Sequence, residues 1–194
     1  MVKFLGTKKI RIAVFISGAG SNLKSLINFS LKNKNQIKIQ LIISNNTKAK
    51  GLVFAKIHKI EKKIYKFDKK KIEEKKILNF LKKKNIKLIC LAGFMKILSL
   101  NFIKKFDGQI INIHPSLLPK YKGLNTHERV IRNKEKFSGC TVHYVTSELD
   151  SGKIILQKKV KIFRYDTPKK LAKRILKQEH ILYPKALKKV CSSF

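Results

Sequence analysis

At 194 residues the chain suits one domain, long enough to bury a real core. Its formal net charge of +35 points first to nucleic acid or an anionic membrane. The make-up of that charge argues against a specific partner of either kind. The basic residues are 41 Lys against 5 Arg, spread from Lys3 to Lys189, whereas nucleic-acid surfaces lean on the bidentate and stacking contacts of arginine.

The longest apolar run, Leu88 to Met95, falls far short of the ~18 residues of a membrane span. With 26 Ile beside the lysines, the charge reads as drift toward AT-rich codons. It leaves a solvated surface whose positive field still steers anionic substrates. Cys90, Cys140 and Cys191 are odd in number and lack Cys-x-x-Cys spacing. They build neither a disulfide framework nor a zinc site, and they fit a reducing cytosol.

Lys8, Lys9 and Arg11 before Ile12–Ile16 imitate a signal peptide, but the apolar part is too short, and a first core strand over 10–17 is the better reading. Gly18-Ala19-Gly20-Ser21-Asn22 then turns into a helix over about 22–31. Such a turn presents backbone N–H groups and the positive end of a helix dipole to an anion. Two features disfavour a dinucleotide: Leu23 stands where a third glycine would fall, and Ser44-Asn45-Asn46, not an acid, follows the second strand over 37–43. A single phosphate group is the better fit.

A helix over 48–59 follows, with Leu52, Ala55 and Ile57 on its buried side. A short strand is expected at 64–67, then a helix over 69–84 capped by Asp68, with Ile72, Ile77, Leu78 and Leu81 toward the core. The most apolar strand, 86–92, belongs near the centre of the sheet. Gly93 to Leu98 leaves its C-terminal end, where open α/β sheets bind ligands. Read without any resemblance, Met95, Ile97 and Leu98 are better taken as ordinary core.

After a short helix over 99–106, Gln109 to Ile113 reads as a buried strand with Asn112 its single polar break. Asn112 and His114 lie two apart, so in an extended chain they point the same way, before Pro115 ends the strand. An asparagine amide can donate to a developing oxyanion, and a histidine can move a proton near neutral pH. A strand end with a satisfied histidine is the plain alternative. A helix over 128–134, strands over 139–147 and 154–162, and a last helix complete the chain. Thr167-Pro168 opens that helix, and Leu171, Ile175, Leu176, Ile181 and Leu182 form its buried stripe up to an expected break at Pro184.

Asn112-Ile113-His114-Pro115-Ser116-Leu117-Leu118-Pro119-Lys120-Tyr121 resembles the signature of the phosphoribosylglycinamide formyltransferase family, folate-dependent enzymes of purine synthesis. Gly18 to Leu23, Leu91 to Leu98, Val142 to Val145 and Glu148 to Gly152 resemble that family's other blocks, in its order. The resemblance implies one Rossmann-like α/β formyltransferase domain over 1–194, with a mostly parallel seven-stranded sheet and helices on both faces. Its N-terminal half would bind the ribonucleotide and its C-terminal half the folate.

By the same resemblance, Asn112, His114 and Asp150 are catalytic, with Asp150 raising the pKa of His114. Gly20, Ser21, Asn22 and Glu179 hold the ribonucleotide. Lys70, Met95, Lys96, Ile97, Leu98, Asn112, Thr146, Ser147, Glu148, Leu149 and Asp150 contact the folate. The formyl donor is 10-formyltetrahydrofolate as cosubstrate, and no metal is needed. The implied protein is a cytoplasmic monomer or weak dimer acting on small molecules. Lys122-Gly123-Leu124-Asn125-Thr126-His127 departs from the family's commoner Pro-Gly-Leu-His-Thr-His. Methionyl-tRNA formyltransferase and formyltetrahydrofolate hydrolase share the fold and the donor. Their additional domains have no counterpart in this chain, which also ends somewhat short for the family. A basic nucleic-acid-binding module is the rival from a different class.

Overall fold

A computed structural model describes residues 9–33 and 36–194; Lys3 and Lys8 of the charge and signal-peptide readings lie outside the described residues. Seven strands form one sheet in the order β3-β2-β1-β4-β5-β6-β7. They are β1 Ile10–Ile16, β2 Ile37–Ser44, β3 Glu61–Ile64, β4 Leu88–Leu91, β5 Gln109–His114, β6 Phe137–Tyr144 and β7 Ile154–Lys161. Every pairing from β3 to β5 is parallel, while β6 and β7 are antiparallel. The mostly parallel sheet is therefore present, with β4 in its middle.

The central parallel strands β1 and β4 read as near-continuous apolar runs because both faces are covered. Ile12, Val14 and Ile16 of β1 join one core with α1 (Ser21–Lys32), α2 (Leu52–Ile57), α5 (Thr126–Arg132) and α6 (Pro168–Cys191). Ala13 and Phe15 face a second core with α3 (Lys70–Lys83) and α4 (Leu100–Lys105). Period-two alternation splits β5 in the same way: Ile111 and Ile113 enter the first core, and Ile110 the second. Asn112 and His114 thus share the face of Ile110.

Several expected details differ. The third strand is Glu61–Ile64, not 64–67, because an edge strand needs only backbone pairing with β2 and shows no apolar pattern. The residue at the N-cap of α3 is Lys69, with no side-chain cap, so Asp68 does not cap this helix. Ile72 and Ile57 are exposed. Glu74 takes the buried place on α3, where it accepts from the Ser99 N–H at 2.8 Å and the Ser99 hydroxyl at 2.5 Å. Ser99 in turn caps α4.

The last helix does not break at Pro184; it runs on to Cys191. Proline forfeits one backbone hydrogen bond, but Tyr183, Ala186 and Leu187 on either side are fully buried. Packing on the sheet therefore carries the helix through. Ile181, expected in the stripe, is exposed.

Candidate active site

The order 3-2-1-4-5 reverses between β1 and β4, which are paired neighbours. A sheet of this kind opens a crevice beyond the C-terminal ends of the strands at that switch point. The Gly18–Ser21 turn leaves β1 there, and the Gly93–Leu98 loop leaves β4 beside it. The opening extends past β5 into a cleft of about 840 Å³.

Gly20 makes the first turn possible. Its φ is +73°, and a Cβ there would lie 2.6 Å from the Cα of Gly51. The chain can therefore turn sharply and enter α1 one residue later. Asn22, in the first turn of α1, is buried; its Nδ2 donates to Oε2 of Glu179 on α6 at 2.6 Å, and its Oδ1 is a buried acceptor with no partner. Burial pushes the Glu179 carboxyl up, against the pull of the Asn22 amide.

On the β5 side, the acidic loop after β6 reaches back over the strand end. Asp150, held at φ +48°, sets Oδ2 3.3 Å from Nδ1 of His114, and that oxygen accepts from the Gly123 N–H at 2.9 Å. Nε2 of His114 lies 2.8 Å from the Tyr121 carbonyl. A carbonyl only accepts, so Nε2 carries a proton, and Nδ1 is where a second proton comes and goes. Burial lowers the pKa of His114, and neither the Tyr121 carbonyl nor the Asp150 charge fully offsets it. Asp150 does pull upward as expected, but the net direction is down because desolvation is the larger effect. Burial pushes the Asp150 carboxyl up, yet His143, the Gly123 N–H and His114 together bring it below the usual carboxylate range.

Asn112 pairs across the sheet with His143. Nδ1 of His143 is 2.8 Å from the Tyr144 carbonyl and so donates; Nε2 of the neutral ring accepts from Asn112 Nδ2 at 3.3 Å, and the same Nε2, when protonated, faces Oδ1 of Asp150 at 3.6 Å. One amide hydrogen is thereby occupied, and the other remains for the cleft. The turn after His114 is anchored from β6 and β7. The Thr141 hydroxyl donates to the Ser116 carbonyl at 2.7 Å and accepts from the Leu118 N–H at 3.1 Å, and Gln157 donates to the Leu118 carbonyl.

Most of the expected residues meet in this cleft. Asn22, Glu179, Asn112, His114 and Asp150 line it together with Met95, Lys96, Ile97, Leu98 and Thr146 to Leu149. Met95 and Ile97 are more than 60% exposed, so they are cleft wall rather than core, whereas Leu98 is buried. Gly20 and Ser21 adjoin the cleft through Asn22 without lining it, and Lys70, exposed at the start of α3, does not line it.

The sequence reading assigned no role to His143, His127 or Lys169, all of which line the cleft. Nδ1 of His127 is buried without a partner, and burial lowers its pKa, with repulsion from His114 adding to the effect. The sequence signal for His143 is its place in the family-like block Val142 to Val145. Among the described residues, no group of three or more His, Cys, Asp or Glu is placed to hold a metal ion. No helix there is long and apolar enough to cross a membrane.

The family model for formyl transferases matches residues 10–187. Phosphoribosylglycinamide formyltransferase of Haemophilus influenzae is 42% identical over 181 residues, covering 92% of this chain and 85% of that protein. The human trifunctional purine biosynthetic protein adenosine-3 is 41% identical over 95% of this chain, but the chain spans only 19% of that longer protein. The crystal structure of phosphoribosylglycinamide formyltransferase from Anaplasma phagocytophilum superposes with a TM-score of 0.90 at 42% identity, covering 96% of this chain and 88% of that one. The five ordered sequence blocks, the switch-point cleft and these matches agree: the chain belongs to the formyl transferase family.

Proposed function

We propose that the chain transfers the formyl group of 10-formyltetrahydrofolate to the amine of 5'-phosphoribosylglycinamide, a step of purine synthesis. The single observation that carries this reading is the meeting of Asn112, His114 and Asp150 in one cleft with Asn22 and Glu179. The N-terminal half supplies the phosphate turn at Gly20 and Ser21. The C-terminal half supplies most of the folate wall.

The cleft fits a pteridine-bearing donor in chemistry and size. Apolar Ile97, Leu98, Val145 and Leu149 stand beside backbone and carboxylate groups, and the volume lies in the range of ligand-sized clefts. Lys96 and the surrounding lysines offer charge to an anionic tail. The unpartnered Asn22 Oδ1 is a ready acceptor for a ribonucleotide hydroxyl or amine.

The donor supplies a formyl carbon open to attack by an amine, so the chain needs no nucleophile of its own. The free N–H of Asn112 Nδ2 points to its part, donating to the formyl oxygen as negative charge develops there. His114, neutral in its buried site, accepts a proton at Nδ1 from the attacking amine and returns it to the departing folate nitrogen. Asp150 stabilises the imidazolium while it exists. Burial holds the histidine ready as a base, and the carboxylate makes the acid form attainable.

The reading predicts a soluble activity in the cytosol on small anionic substrates. Its test is a steady-state assay of formyl transfer with both substrates, product identity being checked by mass spectrometry. Formylated ribonucleotide formed in proportion to tetrahydrofolate supports it. Release of formate with no formylated ribonucleotide would instead mark a hydrolase.

A further inference from the structure

Ser17, the last residue before the glycine-rich turn, has no catalytic or binding role in the account above, yet it is where the two substrate subsites touch. Its N–H donates to the Gly93 carbonyl at 3.1 Å. Its hydroxyl accepts from the Met95 N–H at 2.7 Å and donates to Asn45 Oδ1 at 2.5 Å. Its carbonyl accepts from the Asn46 amide at 3.2 Å. One residue therefore ties the turn after β1 to the loop after β4, and both to the Asn45-Asn46 pair after β2.

The rest of the β4 loop is pinned at other points. Phe94 packs edge-on against Phe15 and Phe67, each at 5.4 Å between ring centroids, and Ser99 is fixed by Glu74. Between these anchors Met95, Lys96 and Ile97 are exposed. Within that stretch, the Met95 N–H is the backbone group whose partner lies on the phosphate side. A ligand that orders 18–21 restrains Ser17, and through the Ser17 hydroxyl it restrains Met95. The ordering entropy met by the first ligand is then not met again by the second.

We propose that Ser17 is a positioning residue that couples the two subsites, so that ribonucleotide bound at the Gly18–Ser21 turn tightens folate binding at the Gly93–Leu98 loop. This inference rests on the substrate assignment above. Linkage requires the effect to be reciprocal: folate must tighten the ribonucleotide by the same factor.

Titration calorimetry with tetrahydrofolate, which carries no formyl group and so permits no turnover, measures the coupling directly. Its affinity is taken with and without saturating 5'-phosphoribosylglycinamide. The wild type should show tightening of about fivefold or more, the lower range of ordinary allosteric couplings. Ser17→Ala should bring the ratio toward one while each ligand still binds alone, since water can satisfy the exposed Met95 N–H. Ser17→Thr keeps the hydroxyl and should restore much of the ratio. Asn45→Ala, which removes the hydroxyl's acceptor from outside both loops, should also lower it and decides the matter if Ser17→Ala does not fold. A wild-type ratio of one, or one unchanged in Ser17→Ala and Asn45→Ala, would overturn the coupling while leaving the substrate assignment standing. Failure of either ligand to bind the wild type would overturn that assignment and the coupling with it.

Discussion

Asn22 and Glu179 stand 157 positions apart, yet the amide of one donates to the carboxylate of the other at 2.6 Å inside the protein. The bond joins the first turn of α1 to the middle of α6 in the wall of the cleft. Burial raises the pKa of Glu179, and this has a consequence for stability.

The raised carboxyl holds its proton in the folded state to a higher pH than in the unfolded chain. Its contribution is intact below the unfolded value of about 4.3 and is lost as pH rises through the folded pKa. Glu179→Gln removes that loss. The variant should have a higher urea midpoint than the wild type at neutral pH and little difference near pH 4. If the carboxylate also grips the ribonucleotide, its KM should rise about tenfold or more, the scale of one hydrogen bond to a charged group.

Asn112→Ala removes the amide hydrogen left free for the developing oxyanion and strips His143 Nε2 of its donor. Turnover should fall by about 10²–10³, as when one such donor is removed elsewhere. Ribonucleotide affinity by calorimetry should hardly change, because Asn112 acts on the formyl oxygen of the donor rather than on the ribonucleotide.

The acidic limb of the pH profile reports His114. Burial has lowered its pKa, so that limb of kcat/KM should lie below the ordinary histidine value of about 6.5. Asp150 pulls upward against burial, so Asp150→Asn must move the limb further down while kcat falls. A limb that moved up would mean that the carboxylate acts some other way.

Gly20→Ala puts a methyl group 2.6 Å from the Gly51 Cα in a left-handed conformation. The conformation alone costs roughly 1–2 kcal/mol, and the contact adds to it. Thermal denaturation should show that loss, and ribonucleotide binding should weaken far more than folate binding.

Much of this site was legible in the chain because its chemistry is local. Asn112 and His114 share a face by strand period alone, and the Gly18–Ser21 turn declares itself by composition. What was missed depends on distant partners. Nothing in Val142-His143-Tyr144 says that the imidazole meets Asn112 across an antiparallel ladder. Nothing in Ile72 and Glu74 says that the acid turns inward to hold Ser99 while the isoleucine faces solvent. The edge strand β3 carries Lys62 and Lys63 and has no apolar alternation to read. Pro184 misled for the converse reason: a local helix breaker was overruled by tertiary packing.

The central claim is that Asn112, His114 and Asp150 act as one unit in formyl transfer. It is tested most directly by kcat against pH for the wild type, the three single variants and the His114→Ala/Asp150→Asn double variant. Removing the proton carrier typically costs about 10²–10⁴, so His114→Ala should lose activity on that scale with ribonucleotide binding intact. The double variant should be hardly slower than His114→Ala, since Asp150 has no imidazole left to assist. Near-normal turnover in His114→Ala, or effects that multiply in the double variant, would contradict the account.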